Sequence, residues 1–201
     1  MGRAVLVVMV RKYGAATLLF FILFTGVGSP WLQELSATAA AVAVSLILVL
    51  VLSMLSAVDV RDYRLPDLFT LALTGMGLML CVLAGVRPVW WPALSAATGL
   101  ATLAGLASAY SYVRGREGIG LGDAKLFAAG GAWLGVEALP AVLLLATCSA
   151  LVVVVLGALR GSQIDAHTRL PFGPFLAFAI WVVWISGSGY LLNQTTLTAS
   201  G

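Results

Sequence analysis

ALPAVLLLATCSALVVVVLGAL, residues 138–159, runs without one charged side chain and stops at Arg160. A helix that crosses a membrane needs about 20 mostly apolar residues, so this stretch reads as a transmembrane helix. Working outward, comparable apolar segments lie near 13–31, 36–57, 68–86, 90–113, 119–135 and 171–192, the fifth of them short. The composition agrees: 201 residues, 61% hydrophobic and only 9% charged, where soluble domains carry roughly a quarter charged residues. The expected fold is all-α, a polytopic membrane helix bundle of about seven spans forming one membrane-embedded domain over residues 1–201. No linker or low-complexity stretch divides it.

Charge orients the bundle. Arg3, Arg11 and Lys12 precede the first segment; Arg61 and Arg64 follow the second. Arg114, Arg116 and Lys125 flank the connection after the fourth, and Arg160 and Arg169 follow the sixth. The opposite connections hold only Arg87, with Glu34 and Glu137. Ten of the eleven basic residues therefore share one side, which the positive-inside rule makes cytoplasmic, N-terminus included. The first segment has the basic start of a signal peptide, but no A-x-A cleavage site closely follows it, so it reads as a retained helix.

The net charge of +3 does not indicate nucleic acid, because no basic run with interleaved aromatics exists. Cys81 and Cys148 form no CxxC pair and read as small buried hydrophobes. With the lone His167 they fall short of a zinc site; neither metal nor cofactor is expected. In the fourth segment Ala97, Ala101, Gly105 and Ala109 recur every four residues, a small-residue stripe suited to close helix packing in lipid.

Chemistry must come from few acids. Asp59, Asp62, Asp67, Glu117, Asp123 and Asp165 fall on the cytoplasmic side of this topology. Asp59 closes the second segment and Asp123 opens the fifth, in Gly120-Leu121-Gly122-Asp123. A carboxyl at the membrane boundary is unfavourable unless paired or lining a wet cavity, which makes both functional candidates; each also suits a helix end, where a carboxylate near an N-terminus is favoured. Two carboxyls sharing a water can hydrolyse an amide: one ionised group takes the water's proton while its protonated partner polarises the carbonyl. Like charges held close cannot both ionise cheaply, which supplies that mixed state. Gly120 and Gly122 would admit a substrate backbone or a neighbouring helix beside Asp123. Lys125 would either tune Asp123 or snorkel at the boundary.

These residues resemble the type IV prepilin peptidases, membrane aspartic proteases of the Gly-x-Gly-Asp type. Asp59-Val-Arg-Asp-Tyr-Arg-Leu-Pro66-Asp67, followed by Leu-Phe-Thr, is similar to that family's first catalytic block. Gly118-Ile-Gly-Leu-Gly-Asp123-Ala-Lys-Leu126, continuing to Gly135, resembles the second, and Leu170-Pro-Phe-Gly-Pro-Phe-Leu176 the Pro-Phe-Gly-Pro start of the last helix. Together the blocks cover about residues 50–190. The resemblance implies that Asp59 and Asp123 are the catalytic pair, with Asp62 a rival to Asp59 on mechanism alone. Pro66, Asp67, Gly120, Gly122, Lys125, Pro171, Gly173 and Pro174 are implied as motif support or substrate-binding positions. Pro171 and Pro174 suit the first turn of a helix. Many members carry an N-terminal domain with paired CxxC motifs associated with N-methylation. This sequence has none, so peptidase activity alone is expected, as in the short members.

The implied substrates are prepilin or pseudopilin precursors, whose basic leaders stay in the cytoplasm by the same charge rule. The implied location is the bacterial inner membrane, with the active site on its cytoplasmic face. Asp62, Asp67 and Glu117 would attract the basic leader. The rival classes are a proton- or cation-coupled transporter using buried aspartates, an inactive assembly protein, and a related protease for another substrate. A transporter is expected to show internal repeats, and none is evident.

Overall fold

A computed structural model of the chain describes residues 39–62, 65–84, 87–88, 90–115, 120–160 and 171–187. The expected first span, Arg3, Arg11, Lys12, Glu34, Arg64, Arg116, Glu117, Asp165, His167 and Arg169 lie outside the described residues. Helices α1 (Ala39–Asp62), α2 (Asp67–Ala84), α3 (Trp90–Arg114), α4 (Leu121–Leu134), α5 (Leu139–Leu159) and α6 (Gly173–Ile185) follow one another, with a short 3-10 turn at Val136–Ala138. Each of the other six expected segments overlaps one of these helices, although the last helix ends at Ile185 rather than near residue 192. By length and composition, three of them can cross a membrane: Val42–Arg61, Trp90–Arg114 and Val136–Leu159. Asp67–Leu83 and Gly173–Ile185 are apolar but shorter.

Local sequence explains the helix ends. Pro66 cannot continue a helix backwards, and its carbonyl accepts the amides of Phe69 (3.2 Å) and Thr70 (3.4 Å), starting α2. Gly115, with φ of 65°, closes α3 through its amide to the Ser111 carbonyl at 2.8 Å. Gly135, with φ of 87°, closes α4 in the same way onto Gly131 at 2.9 Å. Hydroxyls inside the apolar helices satisfy themselves on the preceding turn, as Ser56 does on Leu52 and Thr74 on Thr70, both at 2.8 Å.

Helix α4 is the hub. It is buried from Asp123 to Leu134 except for Lys125, and at 1.5 Å per residue its 14 residues reach only about 21 Å. That is less than the roughly 30 Å hydrocarbon core, so it sits among protein neighbours rather than facing lipid. Close approach is bought with glycine. A Cβ on Gly131 would collide with the Ser95 carbonyl of α3, and one on Gly99 would lie 3.0 Å from the Phe127 carbonyl. A Cβ on Gly130 would press Ile180 of α6 at 3.1 Å, and one on Gly77 of α2 would meet Trp133 at 2.7 Å. Trp133 adds a hydrogen bond from Nε1 to the Leu73 carbonyl (2.8 Å) and an edge contact with Trp184, ring centroids 5.5 Å apart.

Three expectations need correction. The stripe Ala97, Ala101, Gly105 and Ala109 faces outward, and a Cβ on Gly105 would meet nothing. The contact face of α3 is instead Ser95, Ala96, Gly99 and Leu103, because α4 lies on that side and its own glycines set the register. Cys81 is buried but Cys148 lies on the exposed face of α5. Pro171 precedes α6 by two residues, so only Pro174 occupies its first turn.

Candidate active site

The packing brings the end of α1 and the starts of α2, α4 and α6 together. Asp59, near the end of α1, is 6% exposed, and Asp123, in the first turn of α4, is 8% exposed. They are the only buried charged side chains among the described residues. Removing an ionisable group from water is unfavourable without compensation, and the Asp59 carboxyl has a backbone donor. Asp59 Oδ2 accepts the amide of Gly173 at 3.0 Å. The Asp123 amide donates to the Gly120 carbonyl at 3.1 Å. Asp123 occupies the third position of the helix, where a carboxylate is favoured. The charge of Asp59 acts on the Asp123 carboxyl, so the two are within electrostatic reach of each other.

The remaining motif residues surround this pair. Gly122 lets α4 start against the segment before α2: a Cβ there would lie 3.0 Å from Leu65 Cβ. Of the two motif glycines, Gly122 thus serves a chain neighbour, whereas Gly120 is exposed and a Cβ on it would meet nothing nearer than Asp123 Oδ2 at 3.5 Å. Lys125 Nζ lies 2.6 Å from Asp67 Oδ1. It therefore bridges the first two motif blocks, and its carboxylate partner is Asp67 rather than Asp123. That ion pair also engages one of the acids expected to attract a basic leader. Pro66 starts α2, Pro171 is buried, and Pro174 sits half-buried in the first turn of α6. The side chain of Asp62, the last residue of α1, lies outside the described set.

Two contacts at this end of the bundle were not legible in the motifs. Nothing marked Leu65 as the surface against which Gly122 packs. The Gly173 amide was flagged only as part of a Pro-flanked block; the signal was a glycine at a helix start, where it brings no helical advantage.

The far end of the bundle differs in chemistry. There Arg87 lies 3.7 Å from Glu137 and stacks over Trp91, 5.3 Å from the ring centroid. Helices α3 and α4 run antiparallel, as the Ser95–Gly131 and Gly99–Phe127 approaches require, so Arg114 at the end of α3 lies at the aspartate end. Arg61 and Lys125 are there too.

A pair of buried carboxyls on separate helices, one of them held by a backbone amide, can share a proton and activate a water. The family model described as "Type IV leader peptidase family" matches residues 46–155. Curated relatives named prepilin leader peptidase/N-methyltransferase include one from Aeromonas salmonicida (strain A449), 40% identical over 142 residues, 68% of this chain and 46% of the relative. Another, from Aeromonas hydrophila, is 38% identical over 152 residues, 71% of this chain and 50% of its own. A third, from Pectobacterium carotovorum subsp. carotovorum, is 35% identical over 167 residues, 83% and 57%. The chain spans about half the length of the curated relatives it matches. No solved structure shows significant similarity to it.

Proposed function

The chain belongs to the type IV leader peptidase family, and from that premise we propose that it is a membrane aspartic endopeptidase with Asp59 and Asp123 as its catalytic pair. Its substrates are prepilin-like precursors, and its product is the precursor shorn of a short basic leader. The observation that carries this reading is the joint burial of the two carboxyls at one end of the bundle, each on a different helix, with the charge of Asp59 reaching Asp123.

The hydrolysis follows from one shared proton. The ionised carboxylate removes a proton from water as the water oxygen bonds to the scissile carbonyl carbon. The protonated partner gives its proton to the carbonyl oxygen as the tetrahedral intermediate forms. Collapse breaks the C–N bond, the carboxyl that took the water's proton passes it to the departing amine, and the other recovers a proton from the intermediate's hydroxyl. The pair ends as it began, with one proton between two acids.

The active site is assigned to the cytoplasmic face of a bacterial inner membrane, in a chain of about seven spans with its N-terminus inside. In support, Arg61, Arg114 and Lys125 lie at the aspartate end, and the far end holds Arg87 with its partner Glu137. A basic leader held inside by the same rule would meet the carboxyls there. The proposal concerns the peptidase step alone.

The test is incubation of the purified protein in detergent with a precursor that carries a basic leader. Mass spectrometry is expected to find a product cut between leader and hydrophobic helix, and none with Asp123→Ala. Absence of product from the wild type, or cleavage by the variant, contradicts the proposal.

A further inference from the structure

Helix α6 begins against a carboxyl. All the amides of its first turn can be accounted for, which is unusual because helix N-termini ordinarily leave their first amides without intrahelical partners. Pro174 has no N–H. Phe175 and Leu176 donate to the Phe172 carbonyl, both at 3.1 Å. That leaves the Gly173 amide, which donates to Asp59 Oδ2 at 3.0 Å.

The same position is sterically closed. A Cβ on Gly173 would lie 2.6 Å from Asp59 Oδ2, 3.0 Å from its Cγ and 3.3 Å from its Cβ, all inside the roughly 3.5–4.0 Å of ordinary carbon contacts. Glycine is otherwise a poor choice within a helix, about 1 kcal/mol worse than alanine. The carboxyl fills the volume where a side chain would stand, and the positive end of α6 faces it.

Resting on the catalytic reading above, we infer that Gly173 is a positioning residue for Asp59. Its amide holds Oδ2, its missing side chain is the space that the carboxyl occupies, and Oδ1 is thereby presented to the hydrolytic water. Asp59 has no other hydrogen-bond donor among the described residues. The start of α6, which contributes no carboxyl, therefore sets the geometry of the pair.

The test uses the full chain in detergent and has two parts. Thermal unfolding is compared for the wild type, Gly173→Ala, Asp59→Ala and the double variant. Gly173→Ala lowers the melting temperature while Asp59 is present and lowers it no further in the Asp59→Ala background; equal drops in both backgrounds overturn the inference. In steady-state cleavage of a basic-leader precursor, Gly173→Ala loses kcat on the order of 100-fold, as an ångström-scale misplacement does, with KM unchanged. Wild-type kcat, or a loss confined to KM, overturns it.

A second variant covers the case in which Gly173→Ala does not accumulate as folded protein. Glycolic acid in place of Gly173 turns the amide into an ester, removing the donor and adding no side chain. Its kcat is expected to fall roughly tenfold, and an unchanged kcat removes the amide from the mechanism. If Asp59→Asn or Asp123→Asn still cleaves, the catalytic reading fails and the positioning role falls with it, whereas the thermal comparison still reports whether Gly173 and Asp59 touch.

Discussion

Gly122→Ala is the perturbation that bears most directly on how the motif blocks meet. The new Cβ would stand 3.0 Å from Leu65 Cβ, 3.4 Å from its Cδ1 and 3.5 Å from its amide nitrogen. Ordinary contacts are about 3.5–4.0 Å, and a Cβ fixed to the backbone cannot swing aside, so the two segments must part by roughly 0.5–1 Å. Leu65 has little room to retreat, being buried and followed by Pro66, whose carbonyl already anchors α2. Overpacking of this kind destabilises by about 1–3 kcal/mol, and better helix propensity offsets at most about 1 kcal/mol. The expected net loss of about 0–3 kcal/mol leaves most molecules folded, given typical stabilities of about 5–15 kcal/mol. Turnover is far more sensitive, because Asp123 is the next residue: a displacement near 1 Å lowers kcat on the order of 100-fold. The assay is precursor cleavage by purified protein alongside a thermal melt, with Gly120→Ala as comparator. That variant's Cβ makes ordinary contacts of 3.5 and 3.9 Å and is expected to melt with the wild type. Wild-type kcat and melting in Gly122→Ala, or a larger drop in melting for Gly120→Ala, would refute the reasoning.

Lys125→Ala removes the 2.6 Å ion pair with Asp67, whose side chains are 36% and 64% exposed; the loss of stability is expected to stay within about 1 kcal/mol and to shrink in high salt, as denaturation at two ionic strengths will measure. Trp133→Phe deletes the buried bond to the Leu73 carbonyl and should destabilise by about 1–3 kcal/mol, read by the same melts. In a background freed of Cys81 and Cys148, a membrane-impermeant maleimide applied to intact cells is expected to label Arg87→Cys, and Arg114→Cys only after permeabilisation. Labelling with the opposite preference would invert the proposed orientation.

The helices were legible because apolar length is a property of sequence alone: runs such as Leu139–Leu159 have no other use for so many uncharged residues. Asp59 and Asp123 were legible for a related reason, since a carboxyl beside an apolar run must find compensation. Neighbour relations were not. Four-residue spacing along α3 identified a stripe at Ala97 to Ala109, yet spacing alone cannot say which face another helix takes, and α4 took the face of Ser95 and Gly99. The centrality of α4 was hidden by its brevity. Lys125 lies two residues from Asp123 in sequence, but on a helix that separation points the side chains apart, and Lys125 reaches Asp67 instead. The Gly173 amide was the least visible, because a backbone donor leaves no mark in a motif.

Affinity for a stable mimic of the tetrahedral intermediate, a hydroxyethylene isostere of the leader–helix junction, tests whether Asp59 and Asp123 act on one water. Such a hydroxyl should need both carboxyls at once. Asp59→Asn, Asp123→Asn and the double variant are therefore predicted to lose the same affinity, because either change removes the shared site. Losses that simply add, or binding that survives in either single variant, would mean that the two acids do not work as a pair.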